Sequence, residues 1–297
     1  MRNSVTRLAL FASPVLLAAL GAIFYFSLAP QDSAATQSGS VQVAGSETMR
    51  AVMTACAEDF MTRNPESDVI VKGGGSGDGI AALLHGMVDI GMTSRELSQR
   101  EHDYAASKNI DVSLSELALD GITIIVNRAN PLSTLDLSQL QSIFAGRARN
   151  WRDFESGETD IVTVARAPGS GTASLFDERV MGEKPYAASV QRLPTNEAIV
   201  AEVAARPGAI GYTSLGALRG AGDRVKVVAL RTQPQSIAVT PSADTIRSSQ
   251  YPLTRTLYLG TVGKAAGAPK AFADFCLGIS TQPLLQRAGY VSISRAP

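Results

Sequence analysis

Three short β-branched runs, each breaking off into small residues, constrain this chain more than any other feature. They are Val41-Gln-Val-Ala-Gly-Ser46, Val69-Ile-Val-Lys-Gly-Gly-Gly-Ser76 and Val88-Asp-Ile-Gly-Met-Thr-Ser94. Between the first two, Met49, Val52, Met53, Cys56, Phe60 and Met61 recur at spacings of three and four, which predicts a helix closed by Asn64-Pro65. Between the second and third, Gly79, Ala82, Leu83 and His85 mark a shorter helix. Strands alternating with helices predict an α/β fold with a parallel sheet. Such sheets bind ligands at the carboxyl ends of their strands, where the small residues stand here.

The pattern continues down the chain. Leu117–Asn127 and Tyr251–Gly260 read as long strands, and Ile161–Arg166 and Gly208–Tyr212 as shorter ones. Helices are expected over Leu135–Phe144, after Pro168-Gly-Ser-Gly-Thr172, over Glu197–Ala205 and around Phe272–Leu277. A length of 297 residues suits two domains. Basic and acidic residues balance at 27 each, so no overall basic field exists to hold nucleic acid.

The N-terminus departs from this pattern. Arg2 and Arg7 precede the uncharged, largely apolar stretch Leu8–Ala29, the arrangement of an export signal or a membrane anchor. Ser33-Ala34-Ala35 offers a cleavage site, and Gln31–Ser40 reads as a tether. Residues 1–40 are therefore expected to meet the membrane during export or as an anchor, with the remainder working in the periplasm or another extracytoplasmic space. There, Cys56 and Cys276 can pair as a disulfide or lie as buried thiols.

Three turns share one chemistry. Gly45-Ser46-Glu47-Thr48, Gly75-Ser76-Gly77 and Gly169-Ser170-Gly171-Thr172 each place hydroxyls and free backbone N–H groups where a strand gives way to a helix. That geometry suits an anion. Arg166, four residues before Ser170, adds a planar charged fork for an oxyanion. Serine and threonine are also ordinary N-caps, so one such turn decides nothing. Three in one chain, one of them beside an arginine, favour anion binding.

Other chemistries fit less well. Gly77-Asp-Gly-Ile-Ala-Ala82 matches a loose dinucleotide fingerprint, but no phosphate loop of the Gly-x-x-x-x-Gly-Lys type exists. The Ser76 turn misses Gly-x-Ser-x-Gly because Asp78 takes the last position. Only His85 and His102 could serve as a base, and His85 falls on a helix pattern. Two histidines and two distant cysteines make a poor zinc site. No catalytic residue, metal or cofactor is expected.

At these residues the chain resembles the periplasmic phosphate-binding proteins of ABC importers, within the type II solute-binding proteins. The likeness covers residues 41–297. It rests on Gly45-Ser-Glu-Thr-Met49, Gly75-Ser76, Asp89-Ile-Gly-Met-Thr-Ser94, Leu140-Gln-Ser-Ile-Phe-Ala-Gly146 with Asn150-Trp151, Arg166-x-x-Gly-Ser-Gly-Thr172, Gly208-Ala-Ile-Gly-Tyr212, Tyr251-Pro-Leu-Thr-Arg255 and Ala288-Gly-Tyr290. The resemblance implies a two-lobed clamp of α/β domains joined by two hinge strands, Leu117–Asn127 and Tyr251–Gly260. Residues 41–121 and 255–297 would form one lobe and 122–254 the other. Phosphate would be held by Thr48, the Met49 main chain, Ser76, Arg166, Ser170, Gly171 and Thr172, and delivered to a membrane permease by a monomeric binding protein.

Ser94 stands where many phosphate-binding members carry an aspartate that accepts the proton of hydrogen phosphate. A serine hydroxyl both donates and accepts, so weaker rejection of sulfate is expected, unless Glu47 turns inward to replace the carboxylate. Arg95 is otherwise a surface ion-pair residue and Trp151 a packing residue. A sensor, or a binder of another oxyanion such as sulfate, is the alternative reading; an exported hydrolase lacks its base and metal ligands.

Overall fold

A computed structural model describes residues 39–293. The expected export segment and tether, apart from the last residues of the tether, lie outside the described residues. Among those described, no helix is long and apolar enough to cross a membrane.

The three opening runs form β1 (Gly39–Gly45), β2 (Ser67–Lys72) and β3 (Ile90–Thr93), paired in parallel in the order β2-β1-β3. Helix α1 (Glu47–Arg63) joins the first two and α2 (Ser76–Leu84) the second and third. The predicted stripe on α1 is the buried one: Met49, Val52, Met53, Cys56 and Phe60 face inward. Asn64 ends that helix, its side chain donating to the Phe60 carbonyl at 2.9 Å. After α3 (Gln99–Ser107) the chain enters β4 (Val112–Asn127), a 16-residue strand.

The sheet is not parallel throughout, as the alternation predicted. β10 (Thr254–Val262) lies between β3 and β4 and runs antiparallel to both. β4 explains the departure, because it serves two halves of the molecule. Its first part pairs with β10 as far as Gly121, and from Ile122 onward it pairs with β8 (Ala209–Ser214) and β9 (Val225–Arg231). A strand that leaves one layer to enter another cannot also be closed by a local βαβ crossover. Beyond β8 the pairing is parallel again, through β6 (Val162–Arg166) to β7 (Gln191–Leu193).

Each half of β4 carries its own core. On one side Val41, Val43, Met53, Cys56, Phe60, Phe272 and Cys276 cluster; Phe60 meets Phe272 edge-on at 5.3 Å. Cys56 and Cys276 are both buried thiols, and burial, then contact with Cys56, pushes the Cys276 thiol up. On the other side Ile122, Phe144, Phe176, Tyr212 and Tyr251 surround Trp151, whose Nε1 donates to the Gly208 carbonyl at 2.9 Å. Trp151 is thus a packing residue. The result is a two-lobed α/β fold.

Several boundaries move for local reasons. The helix expected from Leu135 begins at Leu137 as α4 (Leu137–Phe144), because Thr134–Asp136 first pairs as β5 with β9. Asp136 then caps it, accepting from the Gln139 amide at 2.9 Å while the Gln139 side chain accepts from the Asp136 amide. Helices α5 (Gly171–Phe176) and α6 (Asn196–Ala205) follow the expected pattern, and a short α7 (Ala243–Arg247) precedes β10. The helix expected around Phe272–Leu277, α8 (Gly267–Leu277), starts a turn earlier than its apolar residues suggest, and a further helix, α9 (Gln282–Arg287), follows it.

Candidate functional site

The three small-residue turns converge at the join between the lobes, and sterics explain their glycines. Gly45 has φ +136°, and a Cβ there would lie 2.1 Å from the Met92 carbonyl oxygen. No other residue lets β1 and β3 approach so closely before α1 begins. The Ser46 amide donates to that same carbonyl at 2.8 Å, and Thr48 follows in the first turn of α1. Tyr290, in the motif Ala288-Gly-Tyr290, donates its hydroxyl to the Thr48 carbonyl and so locks this turn to the C-terminal segment.

Gly75 is the N-cap of α2, its amide held by Asp78 Oδ2 at 3.0 Å, and Ser76 opens the helix fully buried. In the other lobe, Ser170 caps α5 by accepting from the Thr172 amide at 3.2 Å. The two sides touch. Gly77 N donates to the Gly169 carbonyl at 3.2 Å, and the Thr48 and Thr172 hydroxyls are 3.3 Å apart. A Cβ on Gly171 would lie 2.3 Å from Ser94 Oγ and 2.5 Å from Ser76 Oγ.

Ser94, at the end of β3, receives a hydrogen bond from Ser46 Oγ and lies within 3.1 Å of Ser76 Oγ. Arg166 is 1% exposed, and its Nη1 donates to Asn196 Oδ1 at 2.5 Å and its Nη2 to the Pro194 carbonyl at 2.7 Å. Its Nε has no hydrogen-bond partner, and among the described residues the side chain forms no ion pair. Burial, then the like charge of Arg255, pushes its pKa down to about 10. The guanidinium still carries its charge at neutral pH. A buried, unpaired cation is costly, and an anionic ligand relieves that cost.

Six of the eight expected residues thus bring polar side chains to one region, and Gly171 packs its backbone against the Ser94 and Ser76 hydroxyls. Met49 is the exception: its side chain is core and its amide already donates to the Ser46 carbonyl at 3.0 Å. Glu47 is enclosed, its side chain 10% exposed, and its charge reaches Arg166 without forming an ion pair with it. The Glu47 carboxylate pairs with Arg50 at 2.7 Å, and its other oxygen leans on Gly73, where a Cβ would lie 2.0 Å away. Arg95 pairs with Glu101 at 2.7 Å, as an ion-pair residue. His85 meets Tyr104 at 3.2 Å, away from the cluster. Among the described residues no group of side chains could hold a metal ion.

Three site residues were not singled out from the sequence. Asn196, the first residue of α6, bridges Arg166 to Thr48, donating from Nδ2 to Thr48 Oγ1 at 3.1 Å. Asp120 and Arg255 stand opposite each other in the β4–β10 register and form a buried ion pair at 2.7 Å. Arg255 also donates to Ser94 Oγ at 3.1 Å and to Thr48 Oγ1 at 3.2 Å. A charged residue inside the apolar run Leu117–Asn127 was the signal for Asp120, and Arg255 stood in one of the quoted motifs. A cavity of about 620 Å3 lined by Ser94, Arg255, Thr256, Tyr258 and Arg179 opens beside the cluster.

Two α/β lobes joined by long strands, with hydroxyls and a buried arginine meeting at the join, define the class of two-lobed solute-binding proteins. The PBP superfamily domain matches residues 30–278, and the chain belongs to that family. It is 28% identical over 258 residues to the phosphate-binding protein PstS of Bacillus subtilis, covering 86% of this chain and 82% of that protein. Protein SphX of Synechococcus elongatus is 27% identical, over 90% of this chain and 81% of its own length. Among solved structures, a phosphate ABC transporter substrate-binding protein with bound phosphate from Clostridium perfringens superposes with a TM-score of 0.77 at 28% identity, covering 86% of this chain and all of that one. An ABC-type phosphate transport receptor from Vibrio cholerae gives a TM-score of 0.70 at 28% identity, over 85% of this chain and 100% of its own.

Proposed function

We propose that this protein captures inorganic phosphate between its lobes and delivers it to the permease of an ABC importer outside the cytoplasm. The observation that carries this reading is Arg166: a buried guanidinium with an unpartnered Nε and no carboxylate in ion-pair contact, linked through Asn196 to the Thr48 hydroxyl. The names of the relatives in B. subtilis, C. perfringens and V. cholerae point to the same ligand.

In this reading Thr48, Ser76 and Ser94 act from the lobe of residues 41–121 and 255–297, and Arg166, Ser170, Gly171 and Thr172 from the lobe of residues 122–254. The Met49 amide joins them by exchanging its bond to Ser46 for one to the ligand. Binding is the whole task, with no bond of the ligand made or broken, and the protein acts as a monomer. The apolar segment Leu8–Ala29 exports the chain or anchors it.

Each hydrogen bond to the charged ligand contributes about 1.5–3 kcal/mol before desolvation and closure are counted. Ligand that binds only the folded chain stabilises it by mass action, so the melting temperature should climb steadily with phosphate concentration. A melting temperature indifferent to millimolar phosphate, and equally to arsenate, would overturn the reading.

A further inference from the structure

The hydroxyl groups of the site have their protons fixed by a residue that is not itself at the lobe surface. Arginine only donates, so the 2.5 Å contact from Arg166 sets the Asn196 amide with its oxygen toward Arg166 and its nitrogen toward Thr48. Thr48 Oγ1 therefore accepts from Asn196 Nδ2, and also from Arg255 Nη2 at 3.2 Å. A hydroxyl oxygen has two lone pairs, and both are taken. What Thr48 has left is its hydrogen, which points to Thr172 Oγ1 at 3.3 Å or to a ligand.

Ser94 is in the same position. It accepts from Ser46 Oγ at 3.1 Å and from Arg255 Nη1 at 3.1 Å. Its remaining hydrogen points to Ser76 Oγ or to a ligand, and Ser76 Oγ itself already accepts from the Ser94 amide at 3.0 Å. Arg255 is common to both counts. Asp120 holds it in place, taking Nε at 3.0 Å and Nη2 at 2.7 Å on one oxygen while Ser214 fills the other at 2.9 Å. The carboxylate is fully buried and committed to its partners.

We propose that Arg255 is a positioning residue that sets these protons, making Thr48 and Ser94 obligate donors, so that the pocket takes a tetrahedral oxyanion through its unprotonated oxygens. The proposal rests on the anion-binding reading of the site and narrows it. Sulfate, which carries no proton, then fits the donors of this lobe as well as hydrogen phosphate does. Ser94, with both lone pairs taken, leaves the proton of hydrogen phosphate without an acceptor at this position.

The test is calorimetric titration of inorganic phosphate and sulfate, at one pH and ionic strength, into wild type, Arg255→Lys and Asp120→Asn/Arg255→Met, with ligand-free melting measured alongside. The double variant removes both charges together, which buried pairs tolerate better than loss of one partner, and Arg255→Lys keeps the charge in case the double variant does not fold. In the wild type both anions should bind, within about tenfold of each other. In the variants affinity should fall by at least about tenfold, and sulfate should lose more than phosphate, because freed lone pairs on Thr48 and Ser94 can now accept the phosphate proton.

That shift in ratio is what a purely structural role would not produce. Affinities within twofold of wild type in a folded variant, an equal loss for both anions, or wild-type rejection of sulfate by more than about a hundredfold would each overturn the role of Arg255 while phosphate binding stands. Failure of the wild type to bind either anion would overturn the reading of the site, and this role with it.

Discussion

Arg166 and Glu47 are both largely enclosed charged residues beside the same turns, yet their partners give them opposite parts. Arg166 is enclosed and lacks a counter-ion, whereas Glu47 has Arg50 at 2.7 Å and rests on the Gly73 backbone. Neutralising Glu47 should therefore leave the ligand alone. Glu47→Gln is expected to keep phosphate affinity within about twofold and to lower stability by no more than about 1 kcal/mol, the range of partly exposed ion pairs. A large gain or loss of affinity in titration would mean that the carboxylate faces the anion. The sequence made Arg166, Ser76 and the Ser170 turn legible because their signals are local: a strand end, glycine, a hydroxyl. Asp120, Arg255 and Asn196 depend on contacts between segments up to 207 residues apart, and no local pattern encodes a cross-strand register.

At the scale of elements, the approach of α5 to the β2–α2 turn is what the glycines make possible. Gly171 sits where any side chain would strike the Ser94 and Ser76 hydroxyls, at 2.3 and 2.5 Å. Gly171→Ala should disfavour contact between the lobes and weaken phosphate binding by about 1–3 kcal/mol, the usual cost of forcing a methyl into a filled space. The individual cores do not include this position, so ligand-free melting should change little. Undiminished affinity in a titration of this variant would show that the lobes do not need to meet this closely. The elements themselves were readable wherever a period ran long enough: α1 stands close to where its pattern puts it, and β4 ends at Asn127 as expected but begins five residues earlier, at Val112. The three-residue strands β5 and β7 were not, since so short a run carries no period, and β5 took the first residues of an expected helix.

The whole molecule turns on β4 and β10, which pair along their length in one lobe before β4 continues into the other. The sequence marked both as long strands but, by its alternation of strand and helix, suggested a parallel sheet. Only their antiparallel return lets a single strand feed two cores. If the proposed donors of both lobes share one anion, the molecule should close on it by rotation about these strands, since those donors come together only when the lobes meet. Small-angle scattering should report a smaller radius of gyration at saturating phosphate than without it. Superimposable curves would contradict a clamp.

The account stands most directly on one comparison: calorimetric titration of phosphate into wild type and Arg166→Ala, each with its ligand-free melting curve. Wild type should bind one phosphate per chain. Arg166→Ala should lose about 2–5 kcal/mol of binding free energy, the cost of leaving a desolvated charge without its counter-ion, while melting without ligand moves far less, because relief of the unpaired cation offsets the two hydrogen bonds lost at Asn196 and Pro194. Phosphate bound equally well by both proteins would contradict the central claim that this buried arginine is the anion's partner.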